Sequence, residues 1–233
     1  MEITKQTNEL LENLSMINKN FLFNKGKVQR TLNKSKSFMA EVIFDNEIPV
    51  EAGIYDLVKV VSGMKTLSNP SLSFAENSLS VIGQDSEMIF AFTDKSLLDT
   101  PKKSISEYSY EFEYSFDLSL DKFEQIIKYF KVMNRADHKG SKNKTKSTSF
   151  NFLIFEGNGE EIIAQVQESR TLANNVLRIK VGNSNQVFKF MIDLEQLKLL
   201  KDDYTVELSN KKLCKFSCKN IKASYLIAVE NTI

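Results

Sequence analysis

The sequence predicts an α+β protein of two similar domains, each with two helices packed on antiparallel sheets. Four short amphipathic patterns, each followed by β-rich segments, read as one helix-plus-strands unit repeated four times. Three of them open alike, at Asp56-Leu57, Asp117-Leu118 and Asp193-Leu194, where an aspartate can accept a first-turn N–H. The 233 residues suffice for two domains of about 115, each able to bury a core. The expected boundaries are a first domain over 1–94, a linker over 95–109 and a second domain over 110–233.

The first helix is expected from Lys5 to Ile17, with Thr4 as cap and Leu10, Leu14 and Ile17 buried. Strands follow at Phe21–Phe23, Val28–Leu32 and Phe38–Phe44, the last alternating Phe38, Ala40, Val42 and Phe44 on one face. The second helix starts after Asp56 and buries Leu57, Val60, Val61 and Met64 at the i, i+3, i+4, i+7 spacing. Ser71–Ala75, Leu79–Ile82 and Met88–Phe92 read as a small meander. Residues 93–108 contain Pro101 and lack periodicity, as a crossing segment should.

In the second half a strand at Glu111–Phe116 leads into a third helix, Ser119 to about Met133, burying Phe123, Ile126, Ile127 and Phe130. Asn134–Lys146 is a polar loop with five basic residues and one acid. Strands resume at Ser149–Glu156, Ile162–Gln167, Val176–Val181 and Val187–Ile192, and a fourth helix is expected over Asp193–Lys201. Tyr204–Leu208, Leu213–Cys218 and Tyr225–Val229 close the chain.

Catalytic chemistry is hard to find. Gly157-x-Gly159 falls between two strands, whereas a phosphate cradle joins a strand to a helix. His138, the only histidine, lies in the basic loop with no neighbouring nucleophile for a triad. Cys214 and Cys218 share a strand face as reduced, packed thiols and do not offer the ligand count of a zinc site. Asp56, Asp117 and Asp193 are explained as helix caps. No enzyme, cofactor or metal is therefore expected. A hydrolase would have to work through carboxylates alone, and no motif pairs them. No signal-like segment or membrane-length apolar run is read, so no membrane partner and a reducing cytoplasm are expected.

Charge is balanced overall, at 31 basic and 30 acidic residues, so any attraction to nucleic acid must come from segregated charge. Lys5, Lys59, Lys65, Lys122, Lys128, Lys131, Arg135, Lys198 and Lys201 lie on or just beyond the four helical patterns, mostly outside the apolar stripes. If the helices share one side, these residues make a positive surface suited to phosphate contacts without sequence information; singly, each is an ordinary solvated side chain.

Three stretches then resemble a known family, the sliding clamps, or DNA polymerase processivity factors, of T4-like bacteriophages. They are the opening helix running into Met16-Ile17-Asn18, the segment Ala52-Gly53-Ile54-Tyr55-Asp56-Leu57 with its helix, and the closing strand Tyr225-Leu226-Ile227-Ala228-Val229-Glu230. The resemblance implies the DNA-clamp fold, assembling into a homotrimeric ring with helices lining the hole and sheet outside. It implies that the ring encircles duplex DNA, is loaded by an ATP-driven clamp loader, tethers the replicative DNA polymerase and serves late transcription with its factors, in the cytoplasm of an infected bacterial host.

Rings of this kind close through edge strands, which by topology are assigned to Met88–Phe92, with Met88, Phe90 and Phe92, and to Val176–Val181, with Val176, Ile179 and Val181. Partner peptides are expected near Leu97, Leu98, Ile105 and Tyr108, residues equally explained by packing of the crossing segment. The loop residues Lys139, Lys142, Lys144 and Lys146 depart from the family pattern; they either add phosphate contacts or form a solubilising excursion. The competing reading is a non-encircling nucleic-acid-binding module that stacks bases on sheet aromatics, but Phe123, Phe130, Phe152 and Phe190 fall at core positions.

Overall fold

The computed structural model describes residues 1–136, 152–167 and 176–231, with side chains left aside for 133–136 and 231. The chain forms two units, Met1–Ser109 with Lys222–Leu226, and Tyr110–Ile221 with Ile227–Ile233. In chain order the first contains α1 (Lys5–Ile17), β1 (Phe21–Phe23), β2 (Gly26–Leu32), β3 (Phe38–Ile48), β4 (Ala52–Ile54), α2 (Leu57–Thr66), β5 (Ser71–Phe74), β6 (Ser78–Ile82) and β7 (Glu87–Ala91). The second contains β8 (Tyr114–Leu118), α3 (Leu120–Ala136), β9 (Phe152–Asn158), β10 (Glu161–Gln167), β11 (Val176–Asn183), β12 (Val187–Asp193), β13 (Tyr204–Ser209) and β14 (Leu213–Cys218). Then come β15 (Ala223–Ala228), most of which returns to the first unit, and the short β16 (Glu230–Asn231). The α+β class and antiparallel pairing are as expected.

In the first unit, α1 and α2 pack on each other, and α1 lies against β2 and β3. Thr4 caps α1 by accepting the Thr7 N–H at 3.0 Å, and Asp56 caps α2 by accepting the Lys59 N–H at 3.3 Å. The buried stripes are Leu10, Leu11, Leu14 and Ile17 on α1, and Leu57, Val60, Val61 and Met64 on α2. Phe38, Ala40, Val42 and Phe44 of β3, the strand that α1 packs against, are all buried. The Tyr225 hydroxyl donates to Asn13 Oδ1 at 2.9 Å, a satisfied polar pair inside this core.

Gly53 has a physical reason to be glycine. A Cβ there would sit 2.4 Å from the Thr93 carbonyl oxygen and 3.0 Å from Leu98, because the chain after β7 is bonded to it through the Thr93 N–H and Gly53 carbonyl at 2.9 Å. The segment 95–109 belongs to the first unit and folds into two 3-10 turns, Lys95–Leu97 and Ile105–Glu107. Ser104 and Glu107 form a capping box, and Glu41 of β3 accepts the Ile105 N–H at 3.2 Å.

In the second unit, β9, β10, β11, β12 and β16 form one sheet, ordered β11-β10-β9-β12-β16, while β13 pairs with β14 and β8. Phe116, Phe123, Phe155, Tyr204 and Phe216 fill the core edge to face, with Phe116–Phe155 centroids 5.0 Å apart and Phe123–Tyr204 5.4 Å apart. Cys214 is buried and Cys218 half-buried; both are free, and burial pushes the Cys218 thiol up to about 12.

Two local expectations are corrected. The fourth helix is only a 3-10 turn, Leu194–Gln196, so the second unit has one α-helix among its described residues where two were expected. Asp193 caps that turn through the Glu195 N–H at 2.9 Å, but the chain leaves helical geometry at Leu197, and too few residues remain to offset helix nucleation. Asp117 caps nothing. It lies within β8, which continues through Leu118, and pairs with Lys219 at 2.7 Å. The first N–H of α3, at Leu120, is taken instead by Asp203 at 2.8 Å, a residue 83 positions later that no local pattern could reveal.

The neighbouring Asp202 holds this corner together. Its buried carboxylate accepts the Asp203 N–H at 2.8 Å, the Ile221 N–H at 2.8 Å, the Asn220 N–H at 3.0 Å and the Asn220 side-chain amide at 2.6 Å. Burial pushes this carboxyl up, but the four hydrogen bonds outweigh it and hold it below the ordinary carboxylate range. Its stabilisation is therefore present above the unfolded value of about 3.9 and lost as pH falls through the lower folded value. Asp202→Ala should lower stability by about 1–3 kcal/mol at pH 7 in urea unfolding, and the gap from the native chain should close below about pH 4. Gly53→Ala should cost about 1–3 kcal/mol by the same measurement, since backbone must move to admit one methyl group.

Candidate nucleic-acid interface and open sheet edges

Covering one sheet face with α1 and α2 leaves their outer sides in solvent, and there Lys5, Lys59 and Lys65 are exposed. Acids offset them. Lys5 lies 4.0 Å from Glu9, Lys59 lies 4.0 Å from Asp56, and Lys65 bridges the helices to Glu12 at 3.1 Å. Glu12 shares the outward face of the first helical pattern with Lys5 and Asn8, and Glu9 stands at i, i+4 from Lys5, so acids accompany the bases in the sequence itself.

The second unit differs. On α3, Lys122 is half-buried, and the exposed Lys128 and Lys131 form no ion pair among the described residues. Lys201 joins α3 through Glu124 at 2.7 Å, and Lys198 is exposed just past the 3-10 turn. Arg135 falls on the last turn of α3, favourably placed for the helix dipole, with its side chain outside the description. Lys139, Lys142, Lys144, Lys146 and His138 lie outside the described residues. The surplus of positive charge is thus on α3 and not shared evenly among helices.

A basic-aromatic contact was missed from sequence. Lys19 Nζ sits 5.5 Å from the centroid of Tyr55, whose ring is 59% exposed where the chain enters α2. Nothing local in the sequence places Lys19 above Tyr55.

The two strands assigned to subunit contacts are both terminal in their sheets: β7 ends the order β5-β6-β7, and β11 ends the five-stranded sheet. The far side of the small sheet is covered, since β5 takes a bridge from Glu2 and a bond from the Leu72 N–H to the Met1 carbonyl. The side chains named for these contacts differ in burial within the single chain. Met88 and Phe90 turn toward α2 at Gly63, where an added Cβ would meet the Met88 sulfur at 2.8 Å, and Phe92 is half-buried. The exposed apolar residue on this strand is Ile89, at 67%. On β11, Ile179 is buried, Val176 and Val181 are half-buried, and Arg178 and Lys180 occupy the open face.

Of the four residues assigned to a peptide pocket, Leu98 and Ile105 are buried in the first unit and Tyr108 is half-buried. Leu97 alone among them is strongly exposed. Phe123, Phe152 and Phe190 are buried and Phe130 half-buried, so these four rings offer no open stacking platform. No group of three metal-ligating side chains gathers, and no helix is long and apolar enough to cross a membrane, among the described residues.

No protein-family model matches the sequence. The chain is 23% identical to the sliding clamp of Vibrio phage KVP40 over 99% of both chains, and 24% identical to the sliding clamp of Escherichia phage RB69 over 99% of this chain and 97% of that one. Among solved structures, A. fulgidus PCNA bound to the C-terminal region of FEN-1 aligns with a TM-score of 0.64, covering 97% of both chains at 17% identity. The fold is the sliding-clamp fold. The Proliferating Cellular Nuclear Antigen of Entamoeba histolytica aligns equally well at TM-score 0.64, over 97% of this chain and 95% of that one, at 14% identity. The H. pylori beta clamp reaches 0.67 at 8% identity, but this chain spans only 65% of its length. The likeness to sliding clamps of T4-like phages therefore runs the length of the chain.

Proposed function

We propose that this chain is a sliding clamp that closes as a homotrimeric ring around duplex DNA and tethers the replicative polymerase. The carrying observation is the end-to-end likeness to phage sliding clamps, at nearly full coverage of both sequences. Two terminal strands, one in each unit, suit head-to-tail closure: β7 of one copy adds to β11 of the next, and a three-fold operation pairs every copy of these two edges. The chain acts by holding and not by chemistry, in an infected bacterial cell. An ATP-driven clamp loader opens the ring, and late-transcription factors use the same DNA-bound clamp. Leu97, exposed beside buried Leu98, is the apolar contact offered to partner peptides.

Paired lysines suit sliding. A closed ring is retained by topology, so phosphate attraction need only centre the duplex, and exposed lysines already facing carboxylates contribute weak, exchangeable contacts. Lys128 and Lys131 supply the stronger ones. The non-encircling binder loses ground because the aromatics it would use are in the core.

Sedimentation across a concentration series should find a species of three times 26.7 kDa that dissociates on dilution. After loading, it should stay on circular duplex and leave linear duplex by its ends; equal loss from both would sink encirclement. Lys128→Glu combined with Lys131→Glu should shorten retention and flatten the salt dependence by about one unit of log–log slope for each phosphate contact removed. Lys65→Glu, whose native partner Glu12 already offsets it, should change retention less in the same salt series.

A further inference from the structure

Glu87 on β7 and Arg178 on β11 are exposed charges on terminal strands, and neither has an ion-pair partner among the described residues. Their neighbours are satisfied differently. Lys180, two residues along β11, reaches back across the sheet to Glu161 at 2.5 Å, and the carboxylates nearest Glu87 in sequence, such as exposed Asp85, only add to its sign. One open edge is thus acidic and the other basic.

The pleat decides which side chains could meet. Along β7 the side chains alternate, with Glu87, Ile89 and Ala91 exposed and Met88 and Phe90 turned to α2. Along β11 the open face carries Arg178 and Lys180, while Ile179 is buried. If one strand extends the other's sheet, buried faces must align with buried faces, because a one-residue slip would expose Met88, Phe90 and Ile179 together. Glu87, Ile89, Arg178 and Lys180 then share a single outer face, with Ile89 covered by the aliphatic stems of the two basic residues.

We infer that Glu87 of one copy pairs across the subunit boundary with Arg178 of the next, so that closure is keyed by charge as well as by strand addition. The inference rests on the ring reading and goes beyond it. Two copies presenting β7 to β7, or β11 to β11, would set like charges opposite each other, so the pairing selects head-to-tail closure and discourages two-fold dimers.

The experiment is a charge exchange, read by sedimentation equilibrium of the full chain at low and high salt. Glu87→Lys and Arg178→Glu, each alone, should weaken every interface about fivefold at low salt, which compounds over three interfaces to about a hundredfold in the trimer constant. The double variant should return to within about threefold of the native chain, and its recovery shows that both substitutions leave the fold intact. An equimolar mixture of the two single variants should associate less well than the double variant, since only some boundaries in mixed rings are complementary. Glu87→Gln should give a smaller loss that vanishes at high salt. A native trimer indifferent to both reversals, or a double variant no better than the singles, overturns the pairing and leaves the ring standing. A native chain that stays monomeric at every concentration overturns the ring and the pairing with it.

Discussion

An antiparallel sheet with one face to bury is the constraint on which this molecule depends. In the first unit α1 meets that need by laying Leu10 and Leu14 on the side of β2 and β3, where Phe38, Val42 and Phe44 are buried, while α2 buries Val60 and Met64 between α1 and the small sheet of β5, β6 and β7; in the second, α3 contributes Phe123 and Ile126. Covering a sheet this way leaves two features unsatisfied: the solvent side of each helix, and the hydrogen-bonding groups of the terminal strands. Both proposed functions of the chain, attraction to a phosphate backbone and addition of one copy to the next, occupy those residual surfaces. Neither competes with the core for residues, which is why a protein of nearly neutral charge can carry a basic helix and oppositely charged edges.

The electrostatics are weak by design of placement. Lys5, Lys59, Lys65 and Lys201 are exposed and lie 2.7–4.0 Å from carboxylates, where solvent screening leaves little net energy in any single pair. For an enzyme this would be a poor site. For a device that must not stall on any base sequence it is a suitable one, because strong or directional contacts would hold the duplex in one register. The buried charge at Asp202 is different in kind: it is anchored by four donors and fixes the corner from which the Asp203 cap reaches α3.

Much of the fold was legible because its stripes are local. The spacing of Leu57, Val60, Val61 and Met64 identifies α2 with its cap, and the alternation from Phe38 to Phe44 identifies β3, since helix and strand periods differ and each buries one face. What was illegible depended on partners far along the chain. Asp117 looks like a cap from its neighbours alone; only Asp203 displaces it, and only Lys219 explains it. The Asp193 turn begins as a helix should and ends after three residues, because Leu197 leads the chain toward the Asp202 anchor. The basic helices were legible as composition and Lys5–Glu9 as an i, i+4 spacing, whereas the pairing of Lys65 with Glu12 requires knowing which side chains face each other across α1 and α2.

The open edges follow the same division. That β7 and β11 terminate their sheets was inferable from hairpin order, but which residues face outward was not, and Met88 and Phe90 turned inward while Ile89 and Arg178 faced solvent. Hydrophobicity misleads here, since the larger apolar residues of an edge strand pack against their own unit first and leave to the neighbour whatever the pleat turns outward. An edge that must join only a different edge cannot rely on apolar surface, because apolar surface joins anything. It needs a sign. Glu87 on one strand and Arg178 on the other provide opposite signs on matching faces, and strand addition supplies the remaining binding energy without regard to sequence.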